Sequence, residues 1–239
     1  MLEKKDENTF VINSIEDLVF FAYDVRNGNT YKGKTVELGA NLDFCSTKSY
    51  VDAFRKDYDK YGYEGELKTA LTTGEGFKSI GIDFIRKEET ENGHFSGIFK
   101  GNNKSIYNCY INKFVYDDEK YRIGLFGSSL YGEVHDFSLN NINYNLKNGN
   151  NSASICGIAN SLMPGGKVSN VRVTGEIKNV GSGVGDINAS GIICYNKGII
   201  SNCHNFANIY LELNDDTLTA RLLCRWNFSK SRGLILYRE

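Results

Sequence analysis

Four times along this chain a glycine with two apolar residues behind it leads, within about a dozen residues, to a second short apolar strand that carries Asn or Asp, and no other feature constrains the fold so tightly. The pairs are Gly97-Ile98-Phe99 with Ser105-Ile106-Tyr107-Asn108-Cys109, and Gly124-Leu125-Phe126-Gly127 with Glu133-Val134-His135-Asp136-Phe137. They continue as Gly157-Ile158-Ala159 with Lys167-Val168-Ser169-Asn170-Val171, and Gly191-Ile192-Ile193 with Ile199-Ile200-Ser201-Asn202-Cys203. The leading glycines are spaced by 27, 33 and 34 residues, and the step from each to the second apolar strand is 9, 10, 11 and 9. Periods of this length are the signature of a stacked repeat.

Laid over one another, the units predict four columns. These are Gly97, Gly124, Gly157 and Gly191; Ile106, Val134, Val168 and Ile200; Asn108, Asp136, Asn170 and Asn202; and Cys109, Phe137, Val171 and Cys203. Neither short strand of a unit can cover its own apolar face, so stacking must bury it, as in a solenoid. Glycine allows turns that a side chain would obstruct, and Asn or Asp suits bends because its short side chain bonds nearby backbone and tolerates left-handed geometry. A β-sandwich also has short, evenly spaced strands, but it gives no reason for similar residues at matching places in each unit. The sequence therefore predicts an all-β chain, a right-handed parallel β-helix or solenoid with a short N-terminal capping α-helix.

That helix starts at Ser14, an N-cap with Asp17 three residues on, and Leu18, Phe21, Ala22 and Val25 form one apolar stripe before Gly28 stops it. Residues 1–45 are then a capping helix with lead-in strands, 46–78 a polar inserted loop with room for one short helix around Val51–Tyr58, 79–210 the solenoid repeats and 211–239 an irregular tail. In the tail, Ala220-Arg221-Leu222-Leu223-Cys224-Arg225-Trp226-Asn227 stands where another glycine-led unit is due, with arginines near the expected glycines. A reading-frame slip after about Leu218 and a divergent capping unit both account for it.

Composition narrows the partners. Twenty-five glycines against one proline suit short strands and tight turns, and a net charge of -1 gives no electrostatic reason for nucleic acid or an anionic membrane as a partner. No run of about 18 apolar residues marks a membrane span. Met1–Glu7 is charged with no apolar region behind it, so no export signal is read there. The six cysteines form no CxxC pair, no zinc spacing and no expected disulfide framework.

The chain resembles bacterial surface proteins that carry GLUG-type repeats. The likeness lies in Gly124-Leu125-Phe126-Gly127, Ile106-Tyr107-Asn108-Cys109-Tyr110 and Ile200-Ser201-Asn202-Cys203-His204. It extends to Ser14-Ile15-Glu16-Asp17-Leu18, Tyr31–Leu38, Asn41-Leu42-Asp43-Phe44, Ser79-Ile80-Gly81 and Phe95–Asn102. It spans about residues 10 to 210. The resemblance implies a parallel β-helix in a secreted or wall-attached protein, in a region also found ahead of the zinc domain of some bacterial immunoglobulin proteases. It implies no catalytic residues.

Most residues that could carry chemistry have a structural role instead. Zinc hydrolysis needs ligands on one rigid element, whereas His94, His135 and His204 fall in different units and read as solvent-facing or turn residues. Cys109 and Cys203 read as small core fillers. The candidate acids are Asp117, Asp118, Glu119, Asp136 and Asp186; the first three read as a solvated loop and Asp136 as a turn residue. Gly165-Gly166-Lys167-Val168 and Gly181–Gly185 are turns and fail the phosphate-loop pattern. Asn103-Lys104-Ser105 and Asn188-Ala189-Ser190 match the glycosylation sequon. Tyr107, Tyr110, Tyr131 and Tyr195, with Tyr61 and Tyr63, could present aromatic faces to a ligand or else brace strands.

The expected function is a noncatalytic solenoid module, extracellular or at the cell surface. It would act as an adhesive or spacer scaffold for host protein or glycan, with no cofactor and with neighbouring repeats of a longer parent as further partners. The alternatives are a polysaccharide-active β-helix enzyme and a truncated gene product without function of its own.

Overall fold

The computed structural model describes residues 2–44, 76–84, 91–115, 120–148, 152–181, 187–213, 220–222 and 234–238. The chain opens with β1 (Glu3–Lys4) and β2 (Thr9–Ile12), then α1 (Ile15–Arg26), β3 (Thr35–Leu38) and β4 (Leu42–Asp43). Next come β5 (Ile98–Tyr107) and β6 (Tyr110–Val115). Three coils of one plan follow. In the first, β7 (Arg122–Ile123), β8 (Ser129–Leu130) and the long β9 (Glu133–Asn148) succeed one another. The second is β10 (Ala153–Cys156), β11 (Ala159–Leu162) and β12 (Lys167–Gly181). In the third, β13 (Ile187–Ser190) and β14 (Ile193–Asn196) precede a long path broken into β15 (Ile199–Ser201), β16 (His204–Asn205) and β17 (Asn208–Leu213). Two further strands, β18 (Ala220–Leu222) and β19 (Leu234–Arg238), lie within the stretch expected to be an irregular tail.

Each coil therefore lays one strand in each of three parallel sheets. The first sheet runs β7-β10-β13-β18, the second β8-β11-β14, and the large one β3-β5-β9-β12-β17-β19. This is an all-β parallel solenoid with one short helix, the architecture that the repeats predict. β18 pairs in parallel with β13 and β19 with β17, so the backbone of the tail continues the stack at both places.

The columns hold in the later units and slip in the first. Val168 pairs with Val134 and Ile200, but the residue of β5 in that column is Phe99, not Ile106. Ile106 stands instead with Leu139 and Val173. The cause is a bulge: the β5–β9 register shifts between Lys100 and Lys104, so that Gly101, Asn102 and Asn103 face the single residue Asp136. The glycine column divides likewise. Gly124, Gly157 and Gly191 mark one corner, whereas Gly97 stacks with Gly132, where an added Cβ would strike the Gly97 carbonyl oxygen. Gly166 and Gly198 continue that second corner, Lys167 donating from its amide to Gly132 O and Ile199 to Gly166 O.

Bends in the long strands fall at Asn or Asp. Asn102, Asn103, Asn108, Asp136, Asn141, Asn170 and Asn202 all have φ between +48 and +60°. A left-handed residue there turns the strand without breaking its ladder, and Asn or Asp adopts that conformation with less penalty than other side chains.

The interior is filled by columns of fully buried side chains, among them Phe99-Val134-Val168, Ile106-Leu139-Val173 and Tyr144-Ile177. At the N-terminal end α1 forms the crossover between the parallel strands β2 and β3. Ser14 and Asp17 make the full capping box, and Asn27 with Gly28 at φ +105° ends the helix. Leu18, Phe21, Ala22 and Val25 are all buried, and the Phe21 ring meets Tyr31, Phe95 and Phe99 at 5.1, 5.4 and 6.2 Å. Burying a ring of this size is worth about 2–3 kcal/mol. Arg26 ties the helix to the following segment by donating to Ser79 O at 2.6 Å.

β1 closes the stack at this end. It runs antiparallel to β2, is exposed and charged at Glu3 and Lys4, and places the Lys4 ammonium 5.6 Å over the Phe10 ring. Charges on an outermost strand discourage pairing with another chain.

Candidate functional site

The bends carry the most ordered polar arrangement on the molecule. Asn202 donates from Nδ2 to Asn170 Oδ1, and Asn170 to Asp136 Oδ1, each at 2.7 Å. A second ladder runs beside it: Asn141 donates to Asn108 Oδ1 at 2.7 Å, and Asn108 to Asp43 Oδ1 at 2.6 Å. Asn108 thus belongs with Asp43 and Asn141 and not with the other three, again because of the bulge. Each ladder ends on a carboxylate, which can only accept. His135 Nδ1 lies 2.8 Å from Asp136 Oδ2. The Asn170 amide and then His135 hold the Asp136 carboxyl below its usual range, against a smaller opposing effect of burial.

Aromatic side chains are dispersed. Tyr107 and Tyr110 lie on the large sheet, on either side of the Asn108 bend. Tyr131 follows β8, with its ring 5.9 Å from His94. Tyr195 lies on β14 of the smallest sheet, 40% exposed, with the Arg122 guanidinium 5.8 Å from its ring centre. The four are half-buried or exposed, but they sit on different strands and sheets and do not compose one face. Tyr61 and Tyr63 lie outside the described residues, as do residues 46–75 of the expected 46–78 insertion, Asp117, Asp118, Glu119 and Asp186.

A cluster that the sequence reading missed stands at the last coil. Phe206 is 46% exposed, the Arg172 guanidinium lies 4.8 Å from its ring centre, and the His204 ring stacks on it at 6.2 Å. The pairing of Arg172 with His204 brings these groups together. The available signal was Phe206 following Asn202 by four residues, past a bend where outward and inward positions exchange.

The histidines and cysteines occupy varied positions. His94 is buried rather than solvent-facing, whereas His135 and His204 are half-buried on separate columns. Cys109 is fully buried, and burial pushes its thiol up to about 12, a little opposed by the Tyr144 hydroxyl that donates to its sulfur. Cys203 is buried too, and burial raises it. Both fill core positions, though on different columns: Cys203 lies beside Arg172's neighbour Val171, and Cys109 beside Ile142. Asp83, partly buried, is raised by burial, with Lys113 and Arg26 opposing. Among the described residues no group of three His, Cys, Asp or Glu side chains could hold a metal ion. Asn188 is 4% exposed, which leaves no room for a glycan there.

One linkage corrects the cysteine reading outright. Cys156 and Cys194 form a disulfide between the second and third coils, with Cα atoms 6.3 Å apart. They are 38 residues apart in sequence, whereas their β10 and β13 neighbours pair 34 apart, as Ile155 does with Ala189. The bond therefore crosses from the end of one strand to a different sheet of the next coil, which no spacing rule reveals.

Fold and surface together define a parallel β-solenoid with Asn ladders at its bends and one bond stapling adjacent coils. No family model, no curated protein and no solved structure matches the chain. No helix among the described residues is long and apolar enough to cross a membrane.

Proposed function

We propose that the chain is a noncatalytic scaffold module of a bacterial surface or secreted protein, holding apart or presenting neighbouring parts and adhering to host protein or glycan. The observation that carries this reading is the Cys156–Cys194 disulfide between consecutive coils. Disulfides persist in oxidising surroundings, outside the cell above all, and a bond that fixes one coil to the next suits a part whose task is mechanical. The bend ladders support the same reading. Each amide bonds its counterpart one coil away, so much of their hydrogen-bonding capacity is spent on the stack.

The test is a glycan and matrix-protein binding array with the purified chain, run beside an assay for newly released reducing ends or unsaturated sugars on acidic and neutral polysaccharides. Saturable binding without cleavage supports the scaffold. Turnover of any polysaccharide replaces it with the enzyme reading.

A further inference from the structure

The interior changes character along the axis. The N-terminal end and the first coil are filled by aromatics: Phe21, Phe95, Phe99, Phe126, Phe137 and Tyr144 are all buried, and Tyr144 is the last buried aromatic among the described residues. On the large sheet the inward columns then shrink or turn polar toward the third coil. Leu139 gives way to Val173 and then to Asn205, and Tyr144 to Ile177 and Ile209. Phe137 gives way to Val171, and Cys203 continues that column, one place before the Arg172–His204 pair.

Buried asparagines stand where the buried aromatics are missing. Asn160, Asn179, Asn188 and Asn205 all belong to the second and third coils, and the Oδ1 atoms of the first three meet no donor in the chain. A buried acceptor without a donor costs stability, whereas a buried ring adds to it. The third coil's path along the large sheet is also broken into β15, β16 and β17, where the first two coils carry the continuous β9 and β12. In a stack each coil is held only by its neighbours, so the third is the least firmly packed of the three. The Cys156–Cys194 bond joins that coil to the one beneath.

We propose that this bond is a reducible lock: opening it releases the third coil, with the β18 and β19 that pair onto it, while α1, β5 and the first two coils stay folded. β12 then becomes the last strand of the large sheet. The reductant is a dithiol. Cys156 is fully buried and Cys194 is 7% exposed, so the reductant's thiolate attacks Cys194 Sγ, and Cys156 leaves as a thiolate that takes up a proton. The reductant's second thiolate then displaces Cys194 from the mixed disulfide. Two electrons and two protons pass to the chain, and the reductant ends as its own disulfide. Adhesion by the scaffold has no part in this, so the lock stands or falls independently of it.

The test is peptide-resolved hydrogen exchange of the full chain, oxidised and in dithiothreitol, with alkylation of free thiols read alongside. On reduction, protection across residues 187–213 is expected to fall about 30-fold or more, the equilibrium equivalent of a typical disulfide, while that of β5 and β9 holds. Cys203, on the third coil, becomes alkylatable together with Cys156 and Cys194, and the buried Cys109 does not. Cys194→Ser gives the same pattern with no reductant present. An equal loss in every coil overturns the proposal, as does unchanged protection of 187–213 in a chain whose Cys156 and Cys194 both alkylate. Labelling of Cys109 as fast as Cys203 overturns it too. Should Cys194→Ser fail to fold, the reduced wild type decides alone, and protection regained on reoxidation supports the lock.

Discussion

Asn170 reaches from one coil to the next, donating to Asp136 at 2.7 Å while accepting from Asn202 at the same distance. It also stands at φ +54°, so one residue supplies both the bend and the ladder. Asn170→Ala loses both, at a cost of about 2–3 kcal/mol from the left-handed backbone and two hydrogen bonds. Asn170→Gly keeps the bend and costs about half as much. Urea unfolding of the two variants separates these contributions, and equal losses would show that the ladder alone matters.

The Asp136 carboxyl, lowered by Asn170 and His135, makes stability depend on pH. A carboxylate held lower in the folded chain than in the unfolded one adds stability above its unfolded value of about 3.9, and that contribution fades as pH falls through the folded value. Asp136→Asn keeps an acceptor oxygen and a residue tolerant of positive φ, but it has nothing to titrate. Its melting temperature is expected to fall less steeply than the wild type's below about pH 4, as scanning calorimetry at several pH values would register.

Phe99 connects the helix to the coils. Fully buried, its ring lies 6.2 Å from Phe21, 5.3 Å from Phe126 and 5.5 Å from Phe137. Phe99→Ala should cost about 3–5 kcal/mol, with the loss seen both in the global transition and in amide protection along α1. An α1 protected as in the wild type would mean that the helix is held mainly by Arg26.

Thiol chemistry tests the cysteine assignments residue by residue. In the native chain, alkylation followed by peptide mapping should leave Cys156 and Cys194 linked, and it should leave Cys109 unmodified because burial both hides its thiol and raises it to about 12. Breaking the link by Cys194→Ser should cost about 2–4 kcal/mol. Rapid native labelling of Cys109 would contradict its place in the core.

The stacking of the later units was legible because identical kinds of residue recur at physically equivalent bends: Asp136, Asn170 and Asn202 are all left-handed. The first unit was not, because glycine serves two corners. Gly97 looks like Gly124 but belongs with Gly132, and the interval of 27 rather than 33 residues was the sign of it. Faces were harder still to read. A left-handed residue exchanges inside and outside, so Val134 and Phe137 both point inward, as do Leu139 and Ile142. Simple alternation therefore misplaces every tyrosine beyond a bend. The disulfide had no local signal, since its partners meet only once two coils are stacked.

The charged strand β1 has a consequence for any longer protein built with this module. Because it is antiparallel to β2 and charged at both of its residues, the parallel stacking of the coils does not continue through it, and a preceding module would meet this one at a seam. Modules in series would make a jointed rod, with bending concentrated at the seams and each segment stiff between them. Reach would then grow with the number of segments, while alignment would decay at every joint.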